Sequence, residues 1–136
     1  MAKTPVTLKV DGYAEREVAE VTYNFTRDAD KEGQPAGVAR GGQIVVKVKA
    51  LNDGNCDLLE WINNTGSGKK GSIEFKDSRD QSKKMKSIDF ENAYCIDFTE
   101  HWEDKGGEGV LAHYEVITIS CQKITNGAAS YENEWR

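Results

Sequence analysis

Short segments in which apolar and polar residues alternate run along most of the chain. In residues 6–10, valine and leucine alternate with threonine and lysine, and a period of two predicts a β-strand with one buried face. An Asp-Gly pair at 11–12 follows directly and suits a tight turn, so a second strand is expected over residues 13–25. Val18 lies on the polar side of that second strand, which predicts either a β-bulge or a change of environment close to it.

The same alternation predicts five further strands. In the last of these the apolar residues change parity between Val116 and Ile117, which predicts a bulge or a strand buried on both faces. A turn at Glu91-Asn92 is expected to separate the third and fourth of the five. The five strands lie at residues 43–50, 72–76, 86–90, 94–102 and 110–124.

One segment changes from the strand period to the helix period. Leu58 and Ile62 lie four residues apart, as on one face of a helix. Asp53 or Asn55 can cap the start of this helix by accepting hydrogen bonds from its first backbone amides. The glycine-containing stretch at 66–68 ends it, so a helix of about three turns is expected.

Between the second and third predicted strands, residues 26–42 show no apolar period. They include four glycines, one proline and six charged residues, which predicts a long exposed loop that is either mobile or ordered against a partner. About seven strands and one helix predict a mainly β fold, either a β-barrel or a two-sheet sandwich with one flanking α-helix. We expect a single domain over residues 1–136.

The amino-acid composition argues against several classes of protein. The 136 residues are 38% hydrophobic and carry a net charge of -5, which argues against general nucleic-acid binding because such proteins neutralise phosphates. No apolar run approaches the ~20 residues of a membrane-spanning helix, so no membrane insertion is expected. The N-terminus lacks the apolar core of a signal peptide, so the protein is expected in the cytoplasm unless a signal-independent route exports it. Three widely spaced cysteines predict reduced thiols.

Charge is unevenly distributed along the second half of the chain. Residues 69–86 hold seven basic and three acidic residues, a net charge of +4, whereas residues 89–108 hold seven acidic and one basic residue, a net charge of -6. These stretches can be ordinary solvated faces, or they can meet head to tail between copies of the chain. The second interpretation makes candidate contact residues of Lys83, Lys84, Glu103 and Asp104.

Candidate chemistry is sparse. A metal site that joins His101 and His113 with Glu100 or Glu103 is geometrically conceivable, but no metal-ligand spacing supports it. The sequence contains no recognisable catalytic motif, so we expect neither an enzyme nor a cofactor. A carbohydrate-binding β-sandwich is an alternative from another class, since its sugar platform could be built from one of the three tryptophans, Trp61, Trp102 or Trp135.

Six segments, taken together and in this order, identify a resemblance. The chain resembles the haemolysin-coregulated protein (Hcp, also TssD) family, the tube proteins of type VI secretion systems, as a short divergent branch. The resemblance covers essentially the whole chain. The segments are YNFTRDAD (23–30), GVARGG (37–42), LLEWI (58–62), MKSIDFENAY (85–94), TEHW (99–102) and YENEW (131–135).

The resemblance implies a β-barrel with one flanking helix that assembles with itself into a hexameric ring. Rings stack into a tube inside a contractile sheath, so sheath, baseplate and spike proteins are implied partners, and small effector proteins can travel in the lumen. Such a tube is expelled to the exterior or into target cells without a signal peptide. A phage or phage-like tail tube is the near alternative. In the family the extended loop contacts other subunits or rings, which implies contact roles for Arg27, Asp28, Asp30, Lys31, Pro35 and Arg40.

Overall fold

Nine β-strands and one short helix contain most of the residues that the structure, a computed structural model, describes. The described ranges are 5–51, 54–64, 66–77, 79–80, 84–104, 113–127 and 129–133, with the side chains of 38–40 and 84–85 excepted. The first five strands are β1 (Val6–Val10), β2 (Arg16–Tyr23), β3 (Thr26–Ala29), β4 (Pro35–Arg40) and β5 (Gln43–Lys49). They are followed by α1 (Asp57–Asn63), β6 (Lys69–Lys76), β7 (Lys84–Trp102), β8 (His113–Asn126) and β9 (Ala129–Glu132).

Six of the strands close into a barrel. They follow the order β5-β2-β1-β6-β7-β8, and β5 pairs with β8 to complete the circle. The closing ladder is antiparallel and runs without a register shift from the pair Gln43–Ser120 to the pair Lys49–Tyr114. β9 pairs with β8 beyond the end of β5. Of the two expected architectures, the structure therefore confirms the barrel with one helix.

The core follows from the alternation in the sequence. Ile44, Val46 and Val48 of β5 are completely buried, whereas Val45 points outward. The expected bulge in β2 is confirmed, because the register between β2 and β5 shifts between Val18 and Glu20. The other fully buried apolar residues include Leu8, Leu58, Trp61, Ile73, Ile88, Phe90, Ile117, Ile119 and Cys121.

β7 is one continuous strand of 19 residues, so the expected turn at Glu91-Asn92 is wrong. Asn92 takes a positive φ of 49°, a conformation that asparagine tolerates better than most residues. Its side-chain amide donates a hydrogen bond to Oε1 of Gln122 on β8 at 2.8 Å. The chain therefore bends at this polar position while its ladder with β8 continues on both sides.

β8 and α1 also differ from expectation. The ladders of β8 with β5 and β7 pass Val116 and Ile117 without a register shift, and its buried residues keep one parity from Glu115 to Cys121. The bulge or two-sided burial expected at Val116 and Ile117 is therefore wrong. The helix has seven residues rather than three turns, because Asn64 already has an extended backbone with φ −82° and ψ 111°.

The start of α1 agrees in part with the expected capping. Oδ1 of Asn55 accepts a hydrogen bond from the backbone amide of Asp57 at 3.1 Å. Asp53, the other candidate cap, lies outside the described residues. Leu58 and Trp61 form the buried face of the helix. Within the described ranges, no helix has the length and apolar character needed to cross a membrane.

A buried ion pair interrupts the apolar interior. Arg16 of β2 is 2% exposed and Glu115 of β8 is 5% exposed, and the Arg16 guanidinium donates a hydrogen bond to the Glu115 carboxylate. The same guanidinium donates to the backbone oxygen of Lys49 at 2.9 Å. Glu115 occupies a core-facing position between apolar neighbours, and a second strand supplies the counter-charge.

Removing one partner of this pair should destabilise the barrel strongly. Glu115→Ala leaves the Arg16 guanidinium buried without its counter-charge, and the free energy of unfolding should fall by about 3–5 kcal/mol. The exposed pair of Lys49 and Glu17, 3.0 Å apart, is the control, because Glu17→Ala should cost less than about 1 kcal/mol. Urea unfolding followed by circular dichroism measures both variants. Small losses of equal size would contradict the burial of the first pair.

Two of the three cysteines lie in the barrel interior, and all three are free thiols, as the sequence predicts. Burial raises the pKa of the Cys95 thiol to about 11 and that of the Cys121 thiol to about 12. Cys56 lies just before α1 and is exposed. The thiolate is the reactive form of cysteine, so the two interior thiols should be inert in the folded protein.

Iodoacetamide at pH 8 should therefore modify only Cys56 in the folded protein and all three cysteines in urea, as read by intact-protein mass. The folded protein keeps the Cys95 and Cys121 protons at pH values where the unfolded chain has lost them. The contribution of these two thiols to the free energy of unfolding is complete below the ordinary thiol pKa of 9.0. It is lost as the pH rises towards about 11 to 12. Rapid labelling of Cys121 without denaturant would contradict this prediction.

Candidate functional site: an exposed hairpin and its root

β3 and β4 form a two-stranded sheet separate from the barrel. The segment expected to be an irregular loop is therefore a β-hairpin, in which Thr26 pairs with Arg40 and Asp28 pairs with Ala36. All four residues of β3 are exposed, as are residues 30–37, so none of the described side chains of the hairpin is buried and no period of two marks β3 in the sequence. Pro35 opens β4, a position where a missing backbone donor is tolerated.

Asp30 builds the turn at the hairpin tip. Its Oδ1 accepts hydrogen bonds from the backbone amides of Glu32 at 3.0 Å and Gln34 at 2.9 Å. Its own amide donates to the carbonyl of Gln34 at 2.8 Å. Gly33 supplies the positive φ of 83° that completes the turn. The Asp30 carboxylate is thus engaged within its own turn.

The six loop residues expected to make contacts all lie in this hairpin. Arg27 donates a hydrogen bond from Nε to the carbonyl of Gly37 across the hairpin at 3.0 Å. Lys31 lies exposed at the tip. Asp28, Pro35 and Arg40 are strand residues, and the side chain of Arg40 lies outside what the structure describes.

Two short segments, residues 24–25 and 41–42, join the hairpin to the barrel, and we call them the hairpin root. The Phe25 ring packs against the Tyr131 ring of β9 with centroids 4.8 Å apart. The amide of Gly41 donates to the Tyr131 hydroxyl at 3.1 Å, and that hydroxyl donates to Oδ1 of Asn133 at 2.6 Å. The end of the chain therefore bonds to the root over 90 residues of sequence separation.

Asn133 extends these contacts into the barrel. Its side-chain amide donates to the carbonyl of Cys121 at 2.9 Å and to the carbonyl of Gly41 at 3.4 Å. The backbone amide of Cys121 in turn donates to the carbonyl of Gly42 at 2.7 Å. One asparagine side chain thus connects β8 with the root.

The root requires both of its glycines. A Cβ on Gly41 would lie 2.9 Å from the carbonyl oxygen of Asn24 and would overlap the Phe25 ring. Gly42 has a φ of +96°, and a Cβ there would lie 2.9 Å from the carbonyl oxygen of Cys121. Because L-residues avoid this φ and such distances, the Gly-Gly pair allows the close approach of the root to Cys121 of β8 and to Asn133.

An apolar cavity of about 370 Å³ opens beside the root. The Tyr23 hydroxyl on its wall accepts a hydrogen bond from the Asn126 side chain at 2.8 Å. The cavity contains no charged side chain, so it suits apolar contact rather than acid–base chemistry. It is lined by Tyr23, Phe25, Ile124, Asn126, Ala129, Ser130 and Tyr131.

The residues expected from charge patterning lie at the two ends of β7. Lys84 is the first residue of that strand, and Glu103 and Asp104 follow its last residue. The Glu103 carboxylate lies 3.4 Å from Nε2 of His101. Lys83 falls outside the described residues.

The two histidines face opposite sides of the β7–β8 ladder. His101 pairs with Tyr114 and stacks on its ring at 5.0 Å, whereas His113 pairs with Trp102 and lies 2.8 Å from Oε2 of Glu100. The conceivable shared metal site is therefore contradicted. Across the described ranges, no three His, Cys, Asp or Glu side chains are placed to hold a metal ion.

The tryptophans give little support to a sugar-binding platform. Trp61 is 1% exposed and packs edge-on against Tyr13 with ring centroids 6.2 Å apart, so it cannot stack on a sugar. Trp102 is 65% exposed at the end of β7, and Trp135 lies outside the described residues.

A closed barrel that carries an exposed hairpin is thus the architecture of the described residues. The family model described as haemolysin-coregulated protein Hcp (TssD) matches residues 2–136. The chain therefore belongs to the Hcp family of type VI secretion tube proteins, which is a family of structural proteins. A search of curated proteins finds no match.

Solved structures agree with this assignment. Hcp1 from Flavobacterium johnsoniae is 29% identical with a TM-score of 0.82, over 95% of this chain and 99% of that one. Hcp1 from Salmonella typhimurium is 13% identical with a TM-score of 0.71, over 97% and 95%. A type VI secretion system effector from Yersinia pestis is 14% identical with a TM-score of 0.65, over 94% and 99%. The last two similarities concern the fold alone.

The glycine requirement at the root can be measured directly. Gly42→Ala should lower the free energy of unfolding by the roughly 1–2 kcal/mol of a positive φ and by a further ~1–3 kcal/mol for the crowded Cβ. Gly12 has a φ of +85° in open space, so Gly12→Ala should show only the first cost. Urea unfolding of both variants gives the comparison. Equal losses would mean that the contacts of the root do not hold Gly42 in place.

Proposed function

We propose that this protein is the tube subunit of a type VI secretion system. Copies of one domain, residues 1–136, assemble into hexameric rings, and the rings stack into a tube that the machine expels. The observation that carries the proposal is the exposed hairpin on a closed barrel in a chain of the Hcp family. Membership of the Hcp family supports a role in a type VI secretion system, and the exposed hairpin supports contact between copies of the chain.

Free strand edges support the proposal that the protein acts by assembling with copies of itself. Closure of the barrel by β5 and β8 pairs two strand edges that an open sheet would leave free. In the described part of the chain, β3 and β4 pair only with each other, so each offers a free edge. A free edge pairs readily with other chains. A tube made of many identical copies uses such edges repeatedly.

The hairpin is already folded in the isolated chain. Ordering a flexible loop on contact costs roughly 1–2 kcal/mol per residue, which would oppose assembly. Here the strand pairs and the Asp30 turn fix the hairpin beforehand. A preorganised surface binds at a lower entropic cost, which supports a contact role for the residues Arg27, Asp28, Asp30, Lys31, Pro35 and Arg40.

Charge at the ends of β7 supports a head-to-tail arrangement. Basic residues near Lys84 and acidic residues at Glu103 and Asp104 lie at opposite ends of the strand, and a heterologous contact joins unlike surfaces of identical copies. Exposed ion pairs contribute only ~0–1 kcal/mol each. In this proposal the charges, including Lys83, orient the copies, and the hairpin and apolar surface supply the affinity.

The proposed function also implies that the protein occupies different locations in turn. The subunit assembles in the cytoplasm inside a sheath, on a baseplate and below a spike, and then leaves the cell with the tube. Small effector proteins are the cargo that the lumen of such a ring accepts. We propose these partners because the chain belongs to a family of type VI secretion tube proteins.

Shortening the hairpin tests the proposal. Asp28 and Ala36 are directly paired, so an Asn-Gly turn can replace residues 29–35 and keep the root intact. Because these residues lie outside the core, the barrel should keep its unfolding midpoint. The concentration needed for half-assembly should rise about tenfold or more, since a contact worth ~1.4 kcal/mol is removed. Native mass spectrometry counts the copies, and negative-stain microscopy shows rings and tubes.

The intact protein is the control in the same experiment. Rings of six copies that stack at high concentration support the tube function. A strict monomer at every concentration would overturn it. If the shortened variant forms rings as readily as the intact protein, the hairpin does not contribute to the contact between copies.

A further inference from the structure

We infer that the last strand sets the direction in which the hairpin projects, with Tyr131 and Asn133 as positioning residues. The inference rests on the proposed function, because the direction of the hairpin matters only where another copy must receive it. It assigns to β9 and the residue after it a role that the barrel does not require.

The bonds at the root use the polar groups of these two residues fully. The Tyr131 hydroxyl accepts one hydrogen bond, from the Gly41 amide, and donates one, to Asn133. The Asn133 side-chain oxygen accepts that bond, and its nitrogen donates to the carbonyls of Cys121 and Gly41. Removing the Tyr131 side chain breaks its bond to the Gly41 amide and its ring contact with Phe25. Removing the Asn133 side chain breaks its bond to the Gly41 carbonyl and, with it, the connection from the root to Cys121.

β9 contributes little else to the fold. Ala129, Ser130 and Glu132 are exposed, and Tyr131 alone is half-buried. The strand is held to β8 by four residue pairs, from Asn126–Ala129 to Lys123–Glu132. A strand that buries so little apolar surface adds little to core stability. Its specific contacts are with Phe25 and Gly41 of the root.

The hairpin needs such an anchor because its covalent attachment is flexible. Only the root segments 24–25 and 41–42 connect it to the barrel, and one of them is a Gly-Gly pair. Glycine has wide conformational freedom, so the pair by itself would let the hairpin swing. The ring contact at Phe25 and the bonds at Gly41 remove that freedom. The end of the chain thus controls the angle of the candidate interface.

The direct test is a distance measurement within one copy. Spin labels on Lys31→Cys at the tip and Glu17→Cys on β2, in a Cys56→Ser background, report the spread of hairpin positions by electron double resonance. Labelled protein is mixed with excess unlabelled protein so that distances between copies do not contribute. Tyr131→Phe and Asn133→Ala should broaden the distance distribution about twofold, because the hairpin then opens locally without global unfolding.

The matched control is Tyr114→Phe, which removes a tyrosine hydroxyl from the other end of β8. This variant should leave the distribution unchanged, and all variants should keep the urea midpoint of the parent protein. The root variants should also raise the concentration for half-assembly about three- to tenfold, which a residue with a purely structural role would not do at constant barrel stability.

The outcomes separate this inference from the proposed function. An unchanged distribution in both root variants would overturn the positioning role, whether or not rings form. A broader distribution with unchanged assembly would also overturn it, because the angle would then not matter to contact. If the parent protein forms no rings while the distribution broadens, the tube function fails, and the anchor remains as a property of the chain.

Discussion

Pairing of β5 with β8 is the constraint on which the rest of the molecule depends. It closes six strands into a barrel and buries the continuous apolar side of β5 against Ile117 and Ile119. Closure pairs the backbone N–H and C=O groups that an open sheet would leave unpaired at its edges. Among the described strands, free edges remain in the hairpin, in β9 and in β7 from Tyr94 to Trp102, where β7 forms its ladder with β8 alone.

Much of this barrel could be predicted from the sequence because a strand with one buried face has a period of two. The β2 bulge at Val18 and the outward position of Val45 follow from the same rule. The rule fails where burial does not alternate. The described side chains of the hairpin are all exposed, and β7 passes through Asn92 without a turn. Glu115 occupies an interior position that only its distant partner Arg16 explains.

The candidate site could be predicted only in part, for a related reason. The segment that projects from the barrel was recognisable from its length and composition, and the resemblance to the Hcp family pointed to it. The root could not be predicted, because its bonds join residues 90 positions apart. The glycines at 41–42 were counted only as part of the long loop, since their requirement comes from Phe25 and Asn133, which approach them only in the folded chain.

In the proposed function, stability and assembly belong to different parts of one small protein. The barrel core and the pair of Arg16 and Glu115 are buried, whereas the described side chains of the hairpin are exposed. This separation suits a tube subunit, because a surface that receives other copies cannot also be a main source of the monomer's stability. The bonds of Tyr131 and Asn133 join the two parts. With the positioning role inferred above, they hold an exposed element at a fixed angle without requiring it to have a core of its own.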